Sequence, residues 1–191
     1  MKAAELKAQA KANLKNRFGV NLLGSVLATG LVALANKLPL VGGMLIYGPL
    51  NVGETYIYHR TSEDETPEIR DLFRFFKVNV GEAFLLGVLK MVFLFFWTLL
   101  FIIPGIVKGY SYALAEYLMA TGRETNALAA ITESRRLMNG HKFELFLLGL
   151  SFFGWFCLCI ITLGIAAFYV GPYYKETKTV FFKRIVESEE A

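Results

Sequence analysis

The chain has 191 residues, of which 55% are apolar and 19% charged, with a net charge of +4 and a mean hydropathy of +0.46. That length holds one domain or a few small repeats, and a soluble domain of this size needs more charge to cover its surface. The composition therefore excludes an ordinary soluble protein and points to an integral membrane protein.

Residues 2–16 place Ala and Leu against Lys at helical spacing and predict an amphipathic helix. Phe18 to Asn36 follows as 19 residues without a charge. A hydrocarbon core of about 30 Å needs roughly 20 helical residues, so this run can span it. Its end, "ALAN", resembles a signal-peptide cleavage site after Ala35. The 17 residues ahead of it make a long basic region, however, and a retained first span is the expectation. Two further uncharged runs, Met91 to Val107 with 17 residues and Phe156 to Tyr174 with 19, extend the pattern. The two cysteines, Cys157 and Cys159, fall in the last run and would face different sides of a helix, so packing is their expected role.

The tripeptide "LLG" occurs at 22–24, 85–87 and 147–149, spaced by 63 and 62 residues. After each copy an apolar segment runs for about four turns and meets a helix breaker: 38–43, Pro104–Gly105, and Gly164. A less apolar, Tyr-rich segment follows each breaker, at 44–60, 106–120 and 165–184. The first and third share Tyr, Gly-Pro and Glu (Tyr47, Gly48, Pro49, Glu54; Tyr169, Gly171, Pro172, Glu176). The second carries Tyr110, Tyr112 and Glu116 without the proline. Amphipathic stretches at 66–77 and 124–138 precede the second and third copies, as 2–16 precedes the first, and such helices suit a membrane surface. The expected fold is an all-α integral membrane protein: six membrane helices in three parallel helix-hairpin repeats, each preceded by an amphipathic interfacial helix. The repeat units run approximately 2–60, 66–120 and 124–187 within a single membrane domain. The Gly of each "LLG" (Gly24, Gly87, Gly149) is expected to let neighbouring helices approach closely.

Of 20 Lys and Arg, all but Lys37, Lys90 and Lys108 lie in the N-terminus, the two long linkers and the C-terminal region. Basic residues favour the cytoplasmic side, which predicts cytoplasmic termini and linkers.

From Ser134 the chain reads "SRRLMNGHKFELFLLGLSFFGW", with Met138, Gly140, His141, Lys142, Phe146, Leu148, Ser151, Phe152, Gly154 and Trp155 at recurring positions. This stretch, with 103–118 and 170–174, resembles an uncharacterised bacterial multi-pass membrane family, a domain of unknown function. The resemblance covers most of the chain beyond about residue 65. It is similar, more distantly, to the membrane domain attached to some glycerophosphodiester phosphodiesterases. It implies a bacterial cytoplasmic-membrane protein and brings no catalytic or ligand-binding residues.

Glu54, Glu116 and Glu176 fall within the Tyr-rich helices. Ionisable groups at mid-membrane depth face a bundle interior or an aqueous cavity, and three such carboxylates would form a ring for a cation, a proton or a basic group. In shorter or tilted helices they would reach the cytoplasmic interface instead. Lys90 lies inside an apolar helix and is expected to pair with one of these glutamates, whereas Lys108 can snorkel to the nearer surface. Tyr47, Tyr110 and Tyr112 are expected to line the same interior. Arg135, Arg136, His141 and Lys142 form a basic patch that would attract anionic lipid headgroups at about 1 kcal/mol per charge.

The chain has no Ser/His/Asp set, HExxH, Walker loop or dinucleotide fingerprint. No enzymatic activity, cofactor, metal or nucleic-acid partner is expected. Two readings follow. One is a small transporter or permeation protein with a polar Tyr/Glu-lined central cavity. The other is a scaffold binding lipids, a protein partner or a second copy of itself through cytoplasmic amphipathic helices.

Overall fold

The computed structural model describes residues 3–15, 17–35, 42–100 and 102–190; the predicted break at 38–43 lies mostly outside them. Among the described residues every regular element is a helix. The α-helices are α1 (Ala3–Leu14), α2 (Phe18–Ala35), α3 (Gly42–Ser62), α4 (Val80–Leu100), α5 (Ile102–Ser111), α6 (Ala115–Ala120), α7 (Ala127–Leu137), α8 (Lys142–Leu150), α9 (Phe153–Ile161) and α10 (Ala167–Glu190). A 3-10 helix spans Ile69–Phe76, where a continuous amphipathic α-helix over 66–77 was expected. Glu68 and Asp71 close a capping box at its start.

Three segments are long and apolar enough to cross a membrane: Phe18–Ala35, Val80–Leu99 and Lys142–Ile161. The last joins α8 and α9 across a turn at Ser151–Phe152. They hide little of their surface within the protein: 28% of the first and 17% of each of the others is buried. Large apolar side chains, among them Leu34, Phe95, Leu99, Ile160 and Ile161, stand exposed along them. An exposed apolar surface of this extent fits contact with lipid tails. The more polar α3, α5, α6 and α10 do not meet the same measure of length and apolarity, so the six-span expectation reduces to three evident spans.

Each apolar helix touches the more polar helix that follows it in the chain. α2 packs on α3, α4 on α5, and α9 on α10. Pro104, at the second predicted break, sits in the first turn of α5, where its missing N–H costs nothing. The third ends α9 with Gly164 at φ +90°, its N–H donating to the Cys159 carbonyl at 2.7 Å.

The dense packing gathers around the polar helices. One core joins α1, α6, α8 and α10 through Leu6, Leu118, Leu148 and Phe181, and a second joins α3, α4, α6 and α7 through Val52, Leu86, Met119 and Ile131. α1 buries Leu6, Ala10 and Leu14, one face at i, i+4 and i+8, and it packs on α10. α7 likewise buries Ala127, Ala130, Ile131, Ser134 and Leu137. These apolar faces serve the bundle itself, where membrane-surface contact was expected. Two side chains cap the start of α7: its own Asn126 accepts from Leu128 N at 3.0 Å, and Glu82 of α4 accepts from Ala127 N at 2.8 Å, which ties α7 to α4.

The second Tyr-rich segment is not one continuous helix. It breaks at residues 112–114 between α5 and α6. The Ser134 hydroxyl enters that break, donating to Ser111 O at 2.8 Å and accepting from Leu114 N at 3.2 Å. A side chain inserted into the helical ladder is a sufficient cause of the interruption. Helix α2 meets α3 through buried polar bonds: Asn21 Nδ2 donates to Thr61 at 2.9 Å, and Ser25 shares a hydrogen bond with the Tyr58 hydroxyl at 2.7 Å.

Candidate functional site

A cavity of about 660 Å³ lies between α3, α4, α5, α6 and α10. Each helix contributes one stripe. α3 supplies Tyr47, Asn51, Glu54, Thr55 and Tyr58; α4 supplies residues from Gly87 to Thr98 at intervals of three and four, including Lys90. α6 supplies Glu116 and Tyr117, and α10 supplies Lys175, Lys178, Thr179 and Phe182. These spacings are those of single helix faces, so the periodicity of each sequence segment selects which residues meet here. The volume falls in the range of small-molecule sites.

Of the three glutamates expected to converge, two do. Glu116 forms an ion pair with Lys90, tying α6 to α4, and Glu54 forms one with Lys175, tying α3 to α10. The Lys90–Glu116 pair is well enclosed, with side-chain exposures of 14% and 17%.

Glu176 is elsewhere. One residue past Lys175, it is turned by about 100° around α10, and its carboxylate accepts from Asn13 Nδ2 of α1 at 2.9 Å. It is fully buried, and its second oxygen has no hydrogen-bond partner among the described residues. The all-carboxylate ring is therefore corrected to a mixed site with two glutamates and three lysines, Lys175 and Lys178 taking the α10 positions. A buried carboxylate with one unmet oxygen pays for desolvation that a neutral amide avoids. Glu176→Gln is expected to hold or raise the thermal unfolding midpoint in detergent, and Glu176→Ala to lower it by leaving Asn13 unpaired. A fall with Gln as large as that with Ala would show that the charge itself is needed.

The tyrosines divide similarly. Tyr47 lines the cavity as expected. Tyr112 is instead buried in the α3–α4–α6–α7 core, its ring 6.1 Å from Phe93. Tyr110 packs edge-on against Phe146 at 6.3 Å and lines a separate side cleft. Both belong to a segment whose face changes at the 112–114 break, which explains why a straight helix misplaces them. Tyr58 and Tyr117, which reach the cavity, were not singled out, and neither were Lys175 and Lys178. The 175, 178, 179, 182 stripe was the signal that finds the lysines.

The basic patch is partly neutralised. Arg136 pairs with Glu133 at 2.8 Å and with Glu189, and His141 pairs with Glu144 at 2.9 Å. Arg136 holds the Glu133 carboxyl below its usual range through this hydrogen bond. Arg135 and Lys142 stand near Lys108, whose ammonium lies 4.4 Å from the centre of the Trp97 ring. Of the other signature residues, Met138, Leu148 and Phe152 are buried and Gly140 follows α7 at φ +90°, whereas Phe146 and Trp155 stand exposed. Among the described residues, no group of three His, Cys, Asp or Glu is placed to hold a metal ion.

Against known proteins, no curated protein and no solved structure matches the chain. The comparisons supply no support for the distant likeness to glycerophosphodiester phosphodiesterases. Residues 99–189, slightly less than half of the chain, match the model of a family described as Protein of unknown function (DUF975), which includes Glu116 and the α10 lysines but not Glu54 or Lys90.

Proposed function

We propose that the chain is a small transporter or permeation protein whose central cavity receives a polar ligand. The observation that carries this reading is the gathering of five charged side chains, Glu54, Lys90, Glu116, Lys175 and Lys178, around one cavity in a protein with three helices long and apolar enough to cross a membrane. Charges in such surroundings are costly, and where they persist they mark ligand and ion pathways. In the same reading α3, α5–α6 and α10 return across the bilayer. The helices then form three parallel hairpins in a bacterial cytoplasmic membrane, with both termini cytoplasmic. The internal use of the α1 and α7 apolar faces leaves the scaffold role less surface. Exposed Phe73 and Leu128 still favour a membrane or partner contact near the linkers as a second role.

Thiol accessibility tests both parts. With Cys157 and Cys159 replaced by Ala, Thr55→Cys and Thr98→Cys in lipid vesicles are expected to react with a small water-soluble maleimide. Both positions line the cavity. Glu65→Cys and Thr162→Cys are expected to react from opposite sides of the membrane. Silent Thr55 and Thr98 positions beside a reactive Glu65→Cys control would remove the cavity reading. Reaction of Glu65 and Thr162 from one side would remove the hairpins.

A further inference from the structure

The cavity holds one cation more than it holds anions. Lys90 and Lys175 each have a glutamate partner, whereas Lys178 makes no ion pair among the described residues. Its ammonium lies 5.3 Å from the centre of the Phe182 ring and faces Glu116, Lys90, Lys175 and Glu54 without pairing with any of them. The hydroxyls of Tyr47 and Thr179, also on the wall, donate to no other described residue. A cavity ammonium with no carboxylate partner favours an anion, whose counter-charge recovers what the ammonium loses on leaving water.

Lys178 also lies on a second, smaller cleft of about 300 Å³, lined by Ile106, Gly109, Tyr110, Ala113, Leu145 and Tyr174. This cleft lies between α5, α8 and α10 and shares Gly109, Ala113 and Lys178 with the central cavity. Its far wall includes Ile106, which is exposed on the apolar surface of the bundle. The cleft thus leads from the lipid-facing surface to the unpaired ammonium, past side chains suited to an acyl chain.

We infer that Lys178 anchors the anionic phosphate head of a lipid-type amphiphile, admitted sideways from the bilayer between α5, α8 and α10. This deepens the cavity reading and rests on it. A phosphate group could also arrive as free inorganic phosphate from water, but the apolar side cleft would then have no use.

The test uses the full chain in detergent and three probes: short-chain phosphatidic acid, short-chain phosphatidylcholine and inorganic phosphate. The thermal unfolding midpoint is followed as each is titrated. Phosphatidic acid is expected to raise the midpoint of the wild type and of Lys178→Arg. Lys178→Gln should need at least tenfold more of it, and phosphatidylcholine should have little effect. An Arg135→Gln/Arg136→Gln variant is expected to respond like the wild type. Equal protection of Lys178→Gln, or loss of protection in the Arg135/Arg136 variant, would assign the lipid to the surface patch and overturn the inference. Protection by inorganic phosphate at the same concentration as phosphatidic acid would overturn the lipid source. Labelling of Thr55→Cys separates the failures: a reactive thiol without Lys178-dependent protection leaves a cavity with a different ligand, while a silent thiol removes the cavity itself. Lys178→Arg, which keeps the charge, guards against a variant that merely folds badly.

Discussion

Gly48→Val is expected to prevent stable folding, lowering stability by about 4 kcal/mol or more. A Cβ at position 48 would collide with the backbone carbonyl of Ala83 at the α3–α4 crossing, and 2.9 Å separates the Gly48 Cα from where a Cβ on Gly87 would stand. Backbone atoms cannot swing away as a side-chain tip can, so the two helices would have to part. The other glycines grade the expectation. Gly87→Ala meets backbone and should be costly. Gly24→Ala meets only the end of Ile57 at 3.0 Å and should be mild, and Gly149→Ala has nothing nearer than the Tyr174 hydroxyl at 3.8 Å. Unfolding midpoints of the four variants in detergent should fall in that order. A tolerated Gly48→Val would mean that α3 and α4 do not cross where they are seen to.

That ordering shows how far the "LLG" pattern could be read. It marks the apolar helices α2, α4 and α8, and the Tyr-rich segment that follows each was legible from the sequence around it. It could not reveal that only one of its three glycines faces a backbone, because that depends on the partner helix. The essential partner, Gly48, lies outside the pattern in a segment noted for its proline and tyrosine. Asn21 stands before the first "LLG" where Phe stands before the others, and it bonds to Thr61 inside the α2–α3 contact. Similar sequences thus carry different contacts at each position.

The candidate site was legible in part for the same reason. Glu54 and Glu116 were identified because a charge in an apolar context is conspicuous. Glu176 was equally conspicuous, but it answers to α1, and no periodicity within α10 announces that α1 packs there. The break at 112–114 was hidden because its cause, Ser134, lies twenty residues away in another helix. Lys175 and Lys178 were overlooked because lysines near a chain end read as cytoplasmic charge. Their spacing with Thr179 and Phe182 was available, but what made it meaningful was the opposite wall. Local pattern fixes which face a residue occupies; only tertiary packing fixes what that face meets.

Breaking the Lys90–Glu116 pair should have the second large effect, and a double-mutant cycle can isolate it. Either Lys90→Met or Glu116→Gln leaves one enclosed charge or its donors without a partner, at a cost of roughly 3–5 kcal/mol for a buried pair. The double variant Lys90→Met/Glu116→Gln removes both charges and should recover most of that loss. The same cycle on Glu54 and Lys175 should give smaller values, since Lys175 is 37% exposed against 14% for Lys90. Additive losses in the Lys90 cycle would show that the two side chains do not interact and would undo the mixed-charge description of the cavity. The cycle also bears on function. If the pair only held α4 to α6, the neutral double variant should fold and be protected at the same concentration of anionic ligand as the wild type. If Lys90 helps Lys178 to receive the anion, the double variant should fold yet require more ligand for the same protection. Stability and ligand response, measured on the same four proteins, separate the structural share of these costly charges from the share that serves the cavity.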